Sequence, residues 1–250
     1  MNIAVVGYGR MGKEVARLAP SQNVTVVATV DPVAPEAQFD TISPEALKSA
    51  DVVLEFTTPD TVLQNIQIVC RLGKDLVVGT TGWYDRLSLV KELVEDTGVG
   101  LVYSPNFSLG VNIFYRIVSL AAKLLGQAGQ YDPFCHEFHH KGKQDSPSGT
   151  AKKLAQIIVE EMKDKETPVY ETLSRKIAAA EFHVTSTRAG FYPGTHIVGF
   201  DSEFDTIELI HTLRSRSALA LGALKAAQWI KGRKGLFSFS DLVAEQLESA

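Results

Sequence analysis

The sequence predicts an α/β fold, a mostly parallel sheet with a second, α+β region inserted into it, on three observations. The first hundred residues alternate short apolar runs with polar, helix-like segments, the pattern of βαβ units. After Asn106 the texture changes to long helical segments followed by runs of period two. Near the C-terminus a helical pattern returns.

Residues 3–6, 24–30, 52–56, 76–78 and 101–103 are short, largely β-branched and bounded by Gly, Asp or Pro. They read as strands buried on both faces. Ser43-Pro44-Glu45 reads as an N-cap with Pro in the first turn, and Asp60 is expected to cap a helix ending at Gly73. Residues 111–125 are long and apolar enough for a helix, closed by Gly126. Residues 151–162 place Leu154, Ile157, Ile158 and Met162 at helical spacing. Residues 182–184, 195–200 and 206–213 alternate, with Ile207, Leu209, His211 and Leu213 on one face. Helix 218–230, closed by Gly232, returns to the first domain. The expected organisation is residues 1–108 and 217–250 as one domain and 109–216 as the inserted one. The second sheet lacks enough helices to cover both faces, so an oligomer is expected.

Composition narrows the partners. Of 250 residues, 45% are hydrophobic and 22% charged, a globular balance. The net charge of −4 and the lack of a long basic run argue against nucleic acid or a membrane surface. No run approaches the ~20 consecutive apolar residues of a membrane span. Cys70 and Cys135 make no disulfide framework. Met1-Asn2-Ile3 leads straight into an apolar segment without a charged n-region, and a cytoplasmic location is expected.

Gly7-Tyr8-Gly9-Arg10-Met11-Gly12 follows the first strand and opens a helix. G-x-G-x-x-G carries information only in that context: the first Gly makes the turn, the second admits a pyrophosphate, and the third lets helix and strand pack. Asp31, at the end of the second strand, is placed to bind ribose hydroxyls. A Rossmann-type dinucleotide-binding domain follows. Asp31 followed by Pro32, not a cation, leans to NADH over NADPH; Arg10 can supply charge for a 2′-phosphate, so dual use is expected.

Residues 135–151 contain His136-Glu137-Phe138-His139-His140, which satisfies H-E-x-x-H. A zinc peptidase needs a sustained helix and a third ligand, for which Glu160 is available. Gly142 and Pro147 end any such helix, and Lys141 and Lys143 put cations beside the metal; no metal is expected. A strand over 134–138, a loop with His139, His140 and Lys143, and a helix starting at Ser148-Gly149-Thr150 instead make a trap for a dianion. From His139 to Lys153, four Lys and two His face the single acid Asp145.

These residues resemble the 4-hydroxy-tetrahydrodipicolinate reductase family, also called dihydrodipicolinate reductases. The likeness rests on G-Y-G-R-M-G, Gly79-Thr80-Thr81-Gly82, Pro105-Asn106-Phe107-Ser108 with Gly110-Val111-Asn112, and E-F-H-H-K-G-K-Q-D-S-P-S-G-T-A from Glu137 to Ala151. Arg188-Ala189-Gly190 and Gly194-Thr195-His196 continue it. Two departures stand out: many members carry Arg where this chain has Pro32, and Ala-Pro-Ser-Gly is here Ser146-Pro147-Ser148-Gly149. The resemblance implies an NAD(P)H-dependent reductase of a small cyclic dicarboxylate in the diaminopimelate route to lysine. It also implies a homotetramer whose inserted domain binds substrate and supplies the shared sheet. Gly7 to Gly12, Asp31, Gly79 to Thr81 and Ser104 to Phe107 would line the cofactor. His139 and Lys143 would be the catalytic pair, and His140, Ser148, Gly149 and Thr150 would hold the carboxylates. The alternatives are a related dehydrogenase of aspartate or an amino-acid semialdehyde, and a regulator that senses NAD(H) without turnover.

Overall fold

The computed structural model describes residues 1–248; Ser249 and Ala250, the end of the expected span 217–250, lie outside the described residues. The apolar runs become β1 (Asn2–Val6), β2 (Thr25–Val30), β3 (Val52–Glu55), β4 (Asp75–Val78) and β5 (Gly100–Tyr103). Their side chains are buried on both faces in β3 and β4 and nearly so in β1 and β5, which explains runs without alternation. A sixth strand, β11 (Gly235–Ser238), was not evident in the sequence: four half-buried residues between glycine and a helix show no period. All pairings are parallel, in the order β11-β5-β4-β3-β1-β2. This is a Rossmann-like sheet. Parallel pairing puts every strand's carboxyl end on one edge, and there the glycine-rich turn, Asp31, Gly79 and Ser104 all emerge.

Helices α1 (Arg10–Leu18), α2 (Pro44–Leu47), α3 (Val62–Arg71) and α4 (Leu87–Thr97) connect these strands. Ser43 caps α2 by accepting from Ala46 N at 3.1 Å, as its position before Pro44 predicts. Asp60 does not cap α3. The N–H groups of Thr61 and Val62 both donate to Thr58 O at 3.1 Å, so the chain enters the helix one residue later, with Thr61 at the cap position. Gly73, at φ +67°, follows the end of α3 as expected. Past the insertion, α7 (Ser217–Ile230) packs on α1, β3, β4 and β5, and α8 (Phe239–Glu248) packs on α7. Met1–Leu109 and the chain from Arg216 onward thus form one unit, and Gly110–Ser215 the other.

In the second unit, α5 (Leu109–Ala128) precedes β6 (Asp132–His139), α6 (Gly149–Glu161), β7 (Thr167–Val169), β8 (Glu181–Arg188), β9 (Thr195–Asp201) and β10 (Thr206–Thr212). The sheet order is β10-β9-β6-β8-β7, parallel for β6, β7 and β8 and antiparallel for β9 and β10. Phe114, Val118 and Ala122 of α5, with Leu154 and Ile158 of α6, pack on Cys135, Phe182, Val184, Val198 and Phe200 of the sheet. By length and composition α5 could cross a membrane, yet this face of it packs in a core and Asn112, Arg116 and Lys123 interrupt it. It runs through Gly126 and not to it. Met162 Cγ lies 3.2 Å from where a Cβ on Gly126 would stand, so this glycine serves close packing and Gly129, at φ +72°, follows the helix instead. On β10, Leu209 and His211 are half-buried while Ile210 on the other face is 58% exposed.

Leu154→Ala removes a fully buried side chain from α6 and should cost about 2–5 kcal/mol. Urea unfolding with a lowered midpoint checks it; an unchanged midpoint would deny α6 its place in the core.

Candidate active site

In the first unit the turn after β1 is shaped by steric limits on its glycines. Gly7 has φ +88°, and a Cβ there would stand 2.3 Å from Phe56 O; one on Gly12 would stand 2.2 Å from Gly7 O. Gly9 is different: nothing lies within 4 Å of its would-be Cβ. That open approach to the start of α1, with free N–H groups behind it, fits a pyrophosphate. Tyr8 and Met11 are half-buried beside it and Arg10 is exposed.

Asp31 ties the turn to β2. Its Oδ2 accepts from Tyr8 N at 2.7 Å, and its Oδ1 from Val33 N and Ala34 N at 2.8 and 2.9 Å. Burial pushes the carboxyl pKa up, but these backbone donors and Lys13 outweigh that and hold it below its ordinary value. A cavity of about 520 Å³ opens here, walled by Gly7, Gly9, Asp31, Pro32, Thr57 and Asn65. Neither Asn65 nor the Thr57-Thr58 pair was singled out from sequence; polar residues after a buried strand are the signal that marks them.

Gly79, Thr80 and Thr81 follow β4 on the same sheet edge, and Ser104 to Phe107 follow β5, though none of them walls that cavity. Thr80 O accepts from Trp83 Nε1 at 2.8 Å. Ser104 Oγ accepts from Asn106 N and donates to Asn106 O, at 3.1 and 2.8 Å, which folds Pro105 outward. Phe107 is buried with its ring 5.1 Å from that of Phe239, so it anchors the turn from the core side.

In the second unit H-E-x-x-H is extended. Its residues lie along β6 and just past it, where alternation sends Glu137 and His139 to the face under α6 and His136 to the other. The helix that a zinc peptidase needs is absent from this segment, and His139 belongs to the strand's end, not to the loop. His140 and Lys143 close the next turn through Lys143 N to His140 O at 3.1 Å.

Ser148 caps α6 with its Oγ accepting from Ala151 N at 3.1 Å, and Lys152 N reaches Ser148 O at 3.0 Å. The N–H of Ser148 donates to Glu137 Oε1 at 2.9 Å. The helix-start N–H groups open to an anion are those of Gly149 and Thr150. Ser148 itself is buried and supports them from behind. Gly149 is exposed and Thr150 half-buried.

A polar cluster connects all of these. Glu137 Oε1 also accepts from Ser186 Oγ and Arg188 Nη2, both at 2.8 Å. Glu137 Oε2 stands 3.4 Å from His139 Nε2 and 3.3 Å from His196 Nε2. Arg188 Nη2 also donates to Asp145 O at 2.6 Å, and Asp145 Oδ1 accepts from Lys143 Nζ at 2.6 Å. Burial would raise the Glu137 pKa, but His139, His196, Ser148 and Arg188 hold it far below the carboxylate range. Burial pushes His196 down, with Glu137 opposing. The donor atoms of Glu137, His139 and His196 lie within 4.8 Å of one another, close enough for a metal ion. Arg188 already neutralises the carboxylate, so the set works as an ion-pair cluster. Sequence reading named Arg188 and His196 only within the family likeness and gave Glu137 no role; a buried acid between strand and helix start is visible only in three dimensions.

Family models decide the kinship. The model for the dihydrodipicolinate reductase N-terminus matches residues 1–107, and that for its C-terminus matches residues 110–243. The chain belongs to the dihydrodipicolinate reductase family. A 4-hydroxy-tetrahydrodipicolinate reductase of Christiangramia forsetii is 33% identical over 98% of both chains. One from Archaeoglobus fulgidus is 36% identical over 97% of this chain and all of that protein. The solved structure of a dipicolinate-bound dihydrodipicolinate reductase from Paenisporosarcina sp. TG-14 has a TM-score of 0.79 at 25% identity, over 97% of this chain and 99% of that one. The family's N- and C-terminal models meet close to where the two units divide.

A Cβ on Gly194, whose φ is +151°, would stand 2.8 Å from His139 Cε1. Gly194→Ala should displace that imidazole and lower turnover by about tenfold or more, the order of loss when a group at such a site is misplaced by an ångström. Steady-state kinetics decide it; wild-type turnover would show that the ring has room.

Proposed function

We propose that this chain is a 4-hydroxy-tetrahydrodipicolinate reductase, using NADH or NADPH to make tetrahydrodipicolinate in lysine biosynthesis. The observation that carries the reading is the cluster just described: a histidine and a lysine of the family signature held beside the open N–H groups of α6. The first unit binds the dinucleotide through Gly7 to Gly12, Asp31, Gly79 to Thr81 and Ser104 to Phe107; the second binds substrate. A bound nicotinamide supplies hydride.

The chain's own residues handle the dianion and the proton. Gly149 and Thr150 N–H groups, with Ser148 behind them and His140 beside them, receive a carboxylate. Lys143 pairs with a carboxylate in place of Asp145. After the 4-hydroxyl leaves as water, His139 or Lys143 delivers a proton to the ring carbon next to the one that takes the hydride. The balance is one substrate, one reduced nicotinamide and one proton in, and product, oxidised nicotinamide and water out.

Asp31 beside an unphosphorylated ribose favours NADH. Pro32 and exposed Val33 offer no cation there, and Lys13 is paired with Glu36 at 2.9 Å. NADPH use would run through exposed Arg10. Two buried free thiols accord with a reducing cytoplasm. A homotetramer assembled through the second sheet accords with exposed Phe204, Ile207 and Ile210 on and beside β10. Sedimentation at the mass of four chains is expected, and a monomer would refute it.

Oxidation of NADH is expected with the product of dihydrodipicolinate synthase and not with aspartate semialdehyde or aspartate. Lys143→Ala should lower turnover and raise the substrate KM while leaving nicotinamide affinity intact. Activity on the open-chain compounds alone would favour a related dehydrogenase, and nucleotide binding without any oxidation would favour a sensor.

A further inference from the structure

Glu137 has no share in the roles assigned above, yet it touches the proposed proton donor. It is fully buried, and its two oxygens have separate duties. Oε1 is saturated by Ser148 N, Ser186 Oγ and Arg188 Nη2. Oε2 faces the imidazoles of His139 and His196 at 3.4 and 3.3 Å. Among the described residues neither Glu137 Oε2 nor His139 Nε2 has a partner of better geometry. Burying two polar atoms without partners is costly, so they are expected to serve each other.

We propose, resting on the reductase reading, that Glu137 is the positioning residue for proton delivery: it holds His139 by Nε2, which leaves the transferable proton on Nδ1. His196 faces the same oxygen but has a second partner, Ser148 Oγ at 3.2 Å, and its burial favours the neutral ring. Of the two imidazoles on Oε2, His139 is therefore the one whose Nε2 depends on Glu137 alone. In the step, the Nδ1–H bond breaks and a C–H bond forms at the ring carbon beside the hydride acceptor. The N–H electron pair stays on the imidazole, which ends neutral with its Nε2–H on Glu137. Hydride from the reduced nicotinamide is the reductant, and solvent restores the Nδ1 proton. Among the described residues, the other charged or titratable groups around this pair are Cys135 and His136 of β6, Arg188 of β8, His196 of β9 with His211 of β10 beside it, and Lys143 and Asp145 of the loop before α6.

The same oxygen atoms link proton donor and substrate trap. Glu137 receives the Ser148 N–H at the start of α6, and through Arg188 and Asp145 it reaches Lys143. One carboxylate therefore sets the spacing of the acid from both carboxylate-binding elements.

Glu137→Gln keeps the shape and removes the charge. In the full-length enzyme its kcat should fall about 10²-fold, the usual worth of a general acid. The loss should fall on kcat, with KM for NADH unchanged. Arg175→Ala, which breaks the ion pair to Glu181 at the other end of β8, should keep kcat. Wild-type kcat in Glu137→Gln, or equal loss in both variants, overturns the proposal. Should Glu137→Gln not fold, ¹⁵N-histidine spectra of the wild-type protein decide: His139, assigned by His139→Gln, should show a protonated Nε2, and a bare Nε2 overturns the proposal. A wild-type chain without reductase activity would sink the reductase reading instead, and the same spectra would still test the Glu137 contact.

Discussion

A carboxylate with no access to water must be met by donors on every side, and in the second unit that demand falls on Glu137. Strands β6, β8 and β9 and the start of α6 each contribute to it, through His139, Arg188 with Ser186, His196 and Ser148. None of these elements can shift without leaving a buried charge short of partners, which is far costlier than losing an exposed ion pair. Hydrophobic packing of Phe182, Phe200 and Leu154 brings helix and sheet together, but it is tolerant of small slips. The polar cluster is not, because hydrogen bonds are directional.

The first unit reaches precision by another route. Its site is made of backbone: Gly7 and Gly12 let β1, α1 and the segment after β3 approach within contact, and Asp31 gathers three N–H groups from two loops. Such a site is set by the parallel sheet itself. Where the side chains of the second unit hold charge, the main chain of the first provides a shaped opening.

Five strands of the first sheet, β1 to β5, could be read from sequence to within about one residue, as could the glycine turn, because burial on both faces leaves a signal that needs no partner. The Ser43 cap was equally plain. What escaped reading depended on contact with distant chain. Gly126 looks like a helix stop until Met162 is seen against it, and Asp60 looks like a cap until Thr58 O takes the N–H groups that it would have met. Strand β11 has no pattern of its own and forms because β5 offers it an edge. At the site, His139, Lys143 and the start of α6 were visible in the E-F-H-H-K-G-K run. The roles of Glu137, Arg188 and His196 were not, since each is defined by the others across about fifty residues of sequence.

The pairing of β11 with β5 and the seat of α7 on β3 and β4 have a consequence for the order of synthesis. A nascent chain that has reached Leu109 already holds five strands of the first sheet but lacks both its last strand and a covering helix. These arrive only after residues 110–215 have left the ribosome, and that segment has a core of its own. The inserted unit can therefore close first, while the older half of the chain waits with an open sheet edge and an uncovered apolar face. During that wait the most exposed surface belongs to the nucleotide-binding unit, which makes it the part that a chaperone would have to guard.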